Sequence, residues 1–329
     1  MKFAFTADLH LKMWNDKFFD AERTPLKLTE ILNSVKQMCD YCMKNKIENV
    51  IIGGDVNDLK QIVHYRSFVM LKEILEHYYN LHFFVIHGNH DSAGREDLYS
   101  SIQLLDGPSN VSTFVEKTII EDITFLPWSG NVAEEVYNCE PNKILISHFG
   151  INEAQLSSGI SVKTNIKLND LKKFDLVLLG HYHKPQQVGN VYYVGSPIQL
   201  NRGEANEEKR FLVVDTETLE VKSIETTGYR KNYNIIIESS DEIEEKLEQA
   251  KELQKDGIVT IKNKVKELEV EKIEIEGVRI INDVEGEYQM RGITSEMKIT
   301  DQLKRYLEIQ KIPENEHNEY IDTFLEIQK

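Results

Sequence analysis

Five apolar runs within the first 183 residues each lead into an aspartate, an asparagine or a histidine, and this regularity limits the possible fold more than any other feature of the chain. KFAFTADLH (2–10) delivers Asp8 and His10, NVIIGGD (49–55) delivers Asp55, and HFFVIHGNHD (82–91) delivers Asn89 and His90. KILISHFG (143–150) carries His148, and DLVLLGHYH (175–183) ends in His181 and His183. DITFLPW (122–128), VYYVGS (191–196) and RFLVVD (210–215) complete a set of eight runs. Most are too short and too continuously apolar for surface helices, so they read as strands buried on both faces or within a sandwich. Between them, Leu28, Ile31, Leu32, Val35 and Met38 recur at helical spacing, as do Phe68, Leu71, Leu75 and Tyr78. Strands alternating with helices predict an α/β layered domain.

A single histidine among apolar residues is usually a hydrogen-bonded structural group. Five strand ends that all offer metal-capable or proton-transfer side chains are another matter, because ligands in open α/β sheets bind at the carboxyl ends of strands. Gly53, Gly54, Gly88 and Gly180 directly precede candidate residues, where the backbone must turn out of a strand and let a ligand come close. Asp8, His10, Asp55, Asn89, His148, His181 and His183 form a mixed oxygen and nitrogen set without thiolate. That set suits Mn, Fe or Zn better than the all-oxygen preference of Ca or Mg. Seven ligands are too many for one ion and fit two if one carboxylate bridges. Two ions roughly 3.5–4 Å apart polarise a phosphoryl oxygen, as in phosphatases and nucleases. His90, beside a ligand and not needed as one, is free to donate a proton to the leaving oxygen.

Charge narrows the setting. The net charge of −16 argues against wholesale, nonspecific nucleic-acid binding, and residues 230–329, with 24 acidic and 16 basic side chains, carry half of the excess. A polyanion would have to reach the first part of the chain through local basic patches or a metal. The three cysteines include a Cys39/Cys42 pair inside a helical pattern, with no second pair to complete a zinc site, so they read as reduced thiols. No apolar segment approaches the ~20 residues of a membrane span, and MKFAFTADLH has a strand pattern, not that of a signal peptide. The expected location is the cytoplasm.

The series DLH (8–10), GGDVND (53–58), GNHD (88–91), SHFG (147–150) and GHYH (180–183) resembles the calcineurin-like metallophosphoesterase superfamily, with all five motifs in order over residues 1 to about 200. The GHYHKP form and the following YYVGSPIQLNRGE (192–204) are similar to SbcD-type DNA repair and recombination nucleases, of which tailed bacteriophages encode compact versions. The resemblance implies a four-layer αββα sandwich with a small α+β capping domain and a helical C-terminal tail. It implies that Asp8, His10, Asp55 and His183 hold a first metal and that Asp55, Asn89, His148 and His181 hold a second, with His90 as the catalytic histidine. The implied cofactors are two divalent ions, manganese first, with Mg, Fe or Zn as alternatives. Some relatives place a second histidine three residues after the bridging aspartate. Asp58 stands there in this chain, which leaves substrate positioning open.

The implied activity is two-metal hydrolysis of phosphodiester bonds in DNA, as exonuclease or endonuclease, together with an SbcC-type coiled-coil ATPase. The location is the host cytoplasm if a phage encodes the chain. The resemblance also implies a homodimer through helices near 66–79 and 96–105. A phosphatase or small-molecule phosphodiesterase on the same fold is the alternative; however, protein phosphatases carry arginine and glycine after GDxxD, whereas Leu59 and Lys60 follow Asp58 here. A non-catalytic scaffold would have lost ligands, and none is missing.

The expected domains are a nuclease domain over 1–227, closed by a hairpin at 210–225 with its turn near Glu217, a capping domain over 228–288, and a helical partner-binding segment over 289–329. Within the capping domain the pattern predicts strands at 233–237, 257–262 and about 273–282, and a charged helix at 241–254. In the tail, Ile299, Leu303, Tyr306 and Leu307 make one helical stripe, and Tyr320, Ile321, Phe324 and Leu325 a second, with a break at 313–315. These stripes are expected to bind the ATPase, the alternative being packing on their own domain.

Overall fold

In the computed structural model, residues 1–94, 99–265, 278–282, 299–309, 312–313, 317 and 320–321 are described. The chain divides into two compact units, Met1–Asn232 and Tyr233–Lys329.

The first unit is built on two six-stranded sheets. In the first sheet, β1 (Lys2–Thr6), β2 (Asn49–Ile52), β3 (His82–Ile86) and β4 (Val111–Phe114) run parallel. The second holds β5 (Thr118–Ile120), β6 (Ile123–Leu126), β7 (Ile144–His148), β8 (Leu176–Gly180), β9 (Gln186–Val188) and β10 (Val191–Tyr193) in the order β5-β6-β7-β8-β10-β9, with β6, β7, β8 and β10 parallel. A hairpin of β11 (Arg210–Asp215) and β12 (Val221–Glu225) then returns to the first sheet, where β11 pairs antiparallel with β1. All eight apolar runs are strands. The short β4, β5 and β9 lie outside those runs.

The period-2 alternation within each strand sets the layers. Phe3 and Phe5 of β1 point between the sheets and pack with Phe125, Ile146 and Leu178, whereas Ala4 between them faces the helices. The outer face of the first sheet is covered by α1 (Leu26–Asn45) and α2 (Tyr65–His77), whose Leu28, Ile31, Val35, Phe68 and Leu71 are buried against Val50, Ile52 and Phe83. The outer face of the second sheet packs Leu145, Val177 and Tyr193 with Val136 of α3 (Val132–Asn138) and Phe174. This is helix, sheet, sheet, helix: a four-layer α/β sandwich. Cys39 and Cys42 lie buried and unpaired in α1, with burial pushing the Cys42 thiol up to about 12, well away from a reactive thiolate.

The second unit has a three-stranded sheet, β13 (Lys231–Ile237), β14 (Gly257–Asn263) and β15 (Val278–Asn282), with β14 and β15 parallel. Ala250 of α4 (Ile243–Leu253) packs on Ile235, Ile237, Val259 and Ile261. α5 (Ile299–Ile309) carries the first tail stripe, with Leu307 buried and Tyr306 half exposed. Phe324 and Leu325 of the second stripe lie outside the described residues. Among the described residues, no helix is long and apolar enough to cross a membrane.

Candidate metal centre

The parallel registers of the two sheets bring the carboxyl ends of β1, β2, β3, β7 and β8 to one place, where the chain leaves each strand in an unusual conformation. Asp8, His10, Asp55 and His181 all have left-handed backbone, with φ of 57°, 48°, 51° and 93°. Side chains other than glycine pay on the order of 1–3 kcal/mol for such strain, which persists only where the surroundings over-determine it. Here they do. Asp8 N–H donates to Gly54 O and His10 N–H to Asp55 O, each at 3.0 Å, which stitches the loop after β1 to the loop after β2. His181 N–H donates to both Asp8 carboxylate oxygens, at 3.0 and 3.1 Å, which joins the two sheets.

Glycine is required here mainly for space. A Cβ on Gly88 would stand 2.2 Å from Asp55 N and 2.3 Å from its Oδ1, and one on Gly180 would stand 2.6 Å from Gly53 O and 2.7 Å from His148 Nδ1. Gly54 also has φ of +91°, so the expected sharp turn holds there, whereas Gly88 and Gly180 serve close approach.

All seven expected ligands and His90 come together. Asp55 is central: its Oδ2 lies 3.2 Å from His148 Nε2 and 3.7 Å from His10 Nε2, and its Oδ1 accepts from His90 N–H at 2.8 Å. Ligand atoms of Asp8, His10 and His183 lie within 4.8 Å of one another, as do those of Asp8, Asp55 and His148, and those of His10, Asp55 and His90. His181 Nδ1 faces Asn89 Oδ1 at 2.9 Å. His90 Nδ1 donates to the Asp58 carbonyl at 2.5 Å, which commits that nitrogen and leaves Nε2 for chemistry.

The residues fit divalent cations. His10 and His183 point their Nε2 atoms at each other, 3.0 Å apart, an arrangement that a shared cation relieves. His148 Nε2 is fully buried against two carboxylates, 3.2 Å from Asp55 Oδ2 and 3.9 Å from Asp8 Oδ1, while its Nδ1 donates to Gly53 O at 2.8 Å. Asp8 and Asp55 are buried carboxylates in one cluster, a costly pairing of like charges unless cations compensate. Burial disfavours the charged form of His148, but Asp55 and Asp8 outweigh it and push the imidazole up to about 9. Burial likewise opposes an ionised Asp55, yet His148 and His10 hold it well below the usual carboxylate range. His181 is driven down to about 3 by burial and by the neighbouring His148, which keeps it neutral and able to coordinate.

Three participants escape a reading of the sequence. Asp91 is buried beneath the loops and accepts from Asn57 N–H at 2.8 Å, Gly88 N–H at 2.9 Å and Ser101 Oγ at 3.1 Å, so it fixes the loops after β2 and β3 together. Burial and the nearby Asp55 charge raise it to about 6. Glu204 is buried and accepts from His183 Nδ1 at 3.0 Å. Against the cost of burial, His183 and Lys209 lower Glu204 to about 2. Lys209, also buried, reaches Glu204 at 2.8 Å, Glu207 at 2.7 Å and the His183 carbonyl at 2.8 Å. The only signal is position: Asp91 closes GNHD, and Glu204 closes the stretch that follows the last histidine motif.

The calcineurin-like phosphoesterase profile matches residues 1–185, which contain every one of the seven candidate ligands and His90. Exonuclease subunit 1 of Enterobacteria phage T4 is 26% identical over 217 residues, covering 61% of this chain and 63% of that protein. A subunit of the SbcCD nuclease of Staphylococcus epidermidis is 26% identical over 259 residues, covering 66% of each. The chain thus spans just under two thirds of the length of these relatives. A solved dimetal phosphatase from Danio rerio covers 69% of this chain and 99% of its own at 9% identity, with a TM-score of 0.41, too loose a likeness to argue from. The profile match extends over more than half of the chain and ends just past the last histidine of the cluster, and on it the chain belongs to the calcineurin-like phosphoesterase family.

Proposed function

We propose that this chain is a metal-dependent phosphodiester hydrolase acting on DNA, a nuclease subunit of the SbcD type. The observation that carries the reading is the convergence of seven oxygen and nitrogen ligands from both sheets around Asp55, with His90 held beside them by the Asp58 carbonyl. The nuclease subunits among its relatives support DNA as the substrate.

In this reading Asp8, His10, Asp55 and His183 hold one divalent ion, and Asp55, Asn89, His148 and His181 the other, manganese fitting the mixed ligand set. When bound, such a pair supplies Lewis-acid polarisation of a phosphoryl oxygen. His90 donates a proton from Nε2 to the leaving oxygen, its Nδ1–H bond to Asp58 fixing the ring for that transfer. The strained loops keep the ligands in place before substrate arrives, so little reorganisation is left for the reaction itself.

The partner in this reading is a coiled-coil ATPase of the SbcC type, bound through the tail helices of segment 289–329, with 1–227 as nuclease domain and 228–288 as cap. The half-exposed Tyr306 and Tyr320 support a docking role for the tail. A homodimer through the segments near 66–79 and 96–105 is supported by exposed Tyr65, Val69 and Tyr79 at the first and exposed Tyr99 in the second. The test is hydrolysis of single- and double-stranded DNA against a chromogenic phosphodiester, with manganese and with chelator. Manganese-dependent cutting of DNA is expected. Turnover of the small phosphodiester with none of DNA would move the reading to the small-molecule alternative.

A further inference from the structure

Three of the four candidate ligand histidines have a group behind them, a carboxylate in two cases and a neutral carbonyl in the third. His183 Nδ1 donates to Glu204 Oε1 at 3.0 Å, and His10 Nδ1 lies 3.3 Å from Asp58 Oδ1, so each imidazole of the mutually facing His10–His183 pair has a carboxylate behind it. His148 Nδ1 donates to the neutral Gly53 carbonyl, and His181 Nδ1, 2.9 Å from Asn89 Oδ1, faces a fellow ligand of its own site, not a carboxylate behind it. The two carboxylates are built alike. Glu204 gives Oε1 to His183 and Oε2 to Lys209 at 2.8 Å, and Asp58 gives Oδ1 to His10 and Oδ2 to Lys12 at 2.8 Å. In both, a lysine anchors the oxygen turned away from the imidazole.

A carboxylate behind a coordinating imidazole fixes its tautomer, makes the facing nitrogen a stronger donor and adds negative charge near the cation. Loss of such a partner typically costs about 10–100-fold in metal affinity. A neutral carbonyl fixes the tautomer but adds no charge. The lysines offset part of the carboxylate field, but each holds only the second oxygen and leaves the first on its imidazole. We propose that the two metal sites are unequal by design of their surroundings: the His10–His183 site, backed by Glu204 and Asp58, binds its divalent ion first and more tightly, and the His148–His181 site holds the readily exchanged ion. Glu204 and Asp58 are positioning residues of the tight site. Glu204 contributes more, because its bond to His183 is shorter and well formed, whereas the His10–Asp58 contact is longer and His10 Nδ1 lacks a well-aligned partner. This inference rests on the two-metal reading and assigns Asp58 a task for its side chain besides that of its carbonyl.

The experiment is a manganese titration of the full chain, with free Mn(II) read by electron paramagnetic resonance, on wild type, Asp58→Asn, Glu204→Gln and Asn89→Ala. Wild type is expected to show two resolved steps. Glu204→Gln should weaken the tighter step by about 10–100-fold and Asp58→Asn by less, both leaving the weaker step within about twofold, while Asn89→Ala should weaken only the weaker step. A merely structural role would not select one step. Glu204 also accepts from Ser196, Leu200 and Asn201, so melting of the chelated proteins checks folding, and if Glu204→Gln is unfolded Asp58→Asn decides alone. Equal weakening of both steps, loss confined to the weaker step, or no change in either variant overturns the inference. A wild type that takes up no manganese, or a single equivalent, overturns the two-metal reading beneath it.

Discussion

The two units of the chain treat charge in opposite ways. In the first, Asp8, Asp55, Asp91, Glu204 and Lys209 are almost wholly withdrawn from water, and each has a named partner or an opposing charge. In the second, the charges of α4 stand on the surface, with Lys251–Glu248 and Lys255–Glu252 as exposed pairs that contribute little to stability. Buried charge is expensive and tolerates few arrangements, so it specifies a site; exposed charge costs little and specifies almost nothing. The first unit therefore carries a liability that bound cations can offset, whereas no buried carboxylate stands among the described residues of the second.

Removing the hub of that buried cluster gives the largest expected effect. Asp55→Ala takes away the carboxylate assigned to both ions, which lies against both His10 and His148, so metal uptake at both sites and all hydrolysis should be lost. Elemental analysis of the purified variant checks this, and two equivalents of manganese retained would break the comparison at its centre. His90→Asn comes next. Because His90 is held by Asp58 beside the cluster and is assigned no ion, metal content should stay near that of wild type while turnover falls on the order of 10²- to 10⁴-fold. Loss of metal in that variant would make His90 a ligand.

A smaller effect separates the units directly. If cations offset the buried charge of the first unit alone, chelation should destabilise that unit by about 2.7 kcal/mol for each site that had been held at ~100 times its dissociation constant. Hydrogen exchange followed by mass spectrometry locates the change: protection should fall in the loops after β1, β2 and β8 and stay constant in α4 and β14. Equal loss in both units would show that the second unit also depends on metal.

The same contrast explains what can be read from the sequence. The candidate ligands are legible because each stands at or within a few residues past the end of an apolar strand, so a local pattern marks both the strand and the residue at its end. The eight strands are legible for the same reason. β4, β5 and β9 are not, since three or four residues of mixed burial leave no periodicity to detect. The pairing of β11 with β1 joins residues more than 200 positions apart, which no local signal encodes. Glu204 and Lys209 sit in NRGEANEEK, which reads as a solvated turn; only the tertiary fold buries them behind His183. The task of Asp58 stays open in the sequence because it is divided between a carbonyl on His90 and a carboxylate beside His10, neither of which side-chain type reveals.

The smallest expected effect on the metal centre comes from the tail. Truncation after Arg291 removes α5, in which Leu307 is buried while Tyr306 is half exposed, and it removes all of the second stripe. Every expected ligand and His90 lie before residue 184, so manganese content, basal hydrolysis and exchange protection of β1 and β2 should match the full chain. Amphipathic stripes on an acidic segment are unfavourable to leave in water and favourable to lay against a partner, so association with a coiled-coil ATPase, followed by comigration on a sizing column, should be lost. The outcome that reverses this is specific. If protection of α4 and β14 collapses on truncation, or the shortened chain still comigrates with the ATPase, the stripes serve internal packing, and the second unit has a buried dependence of its own.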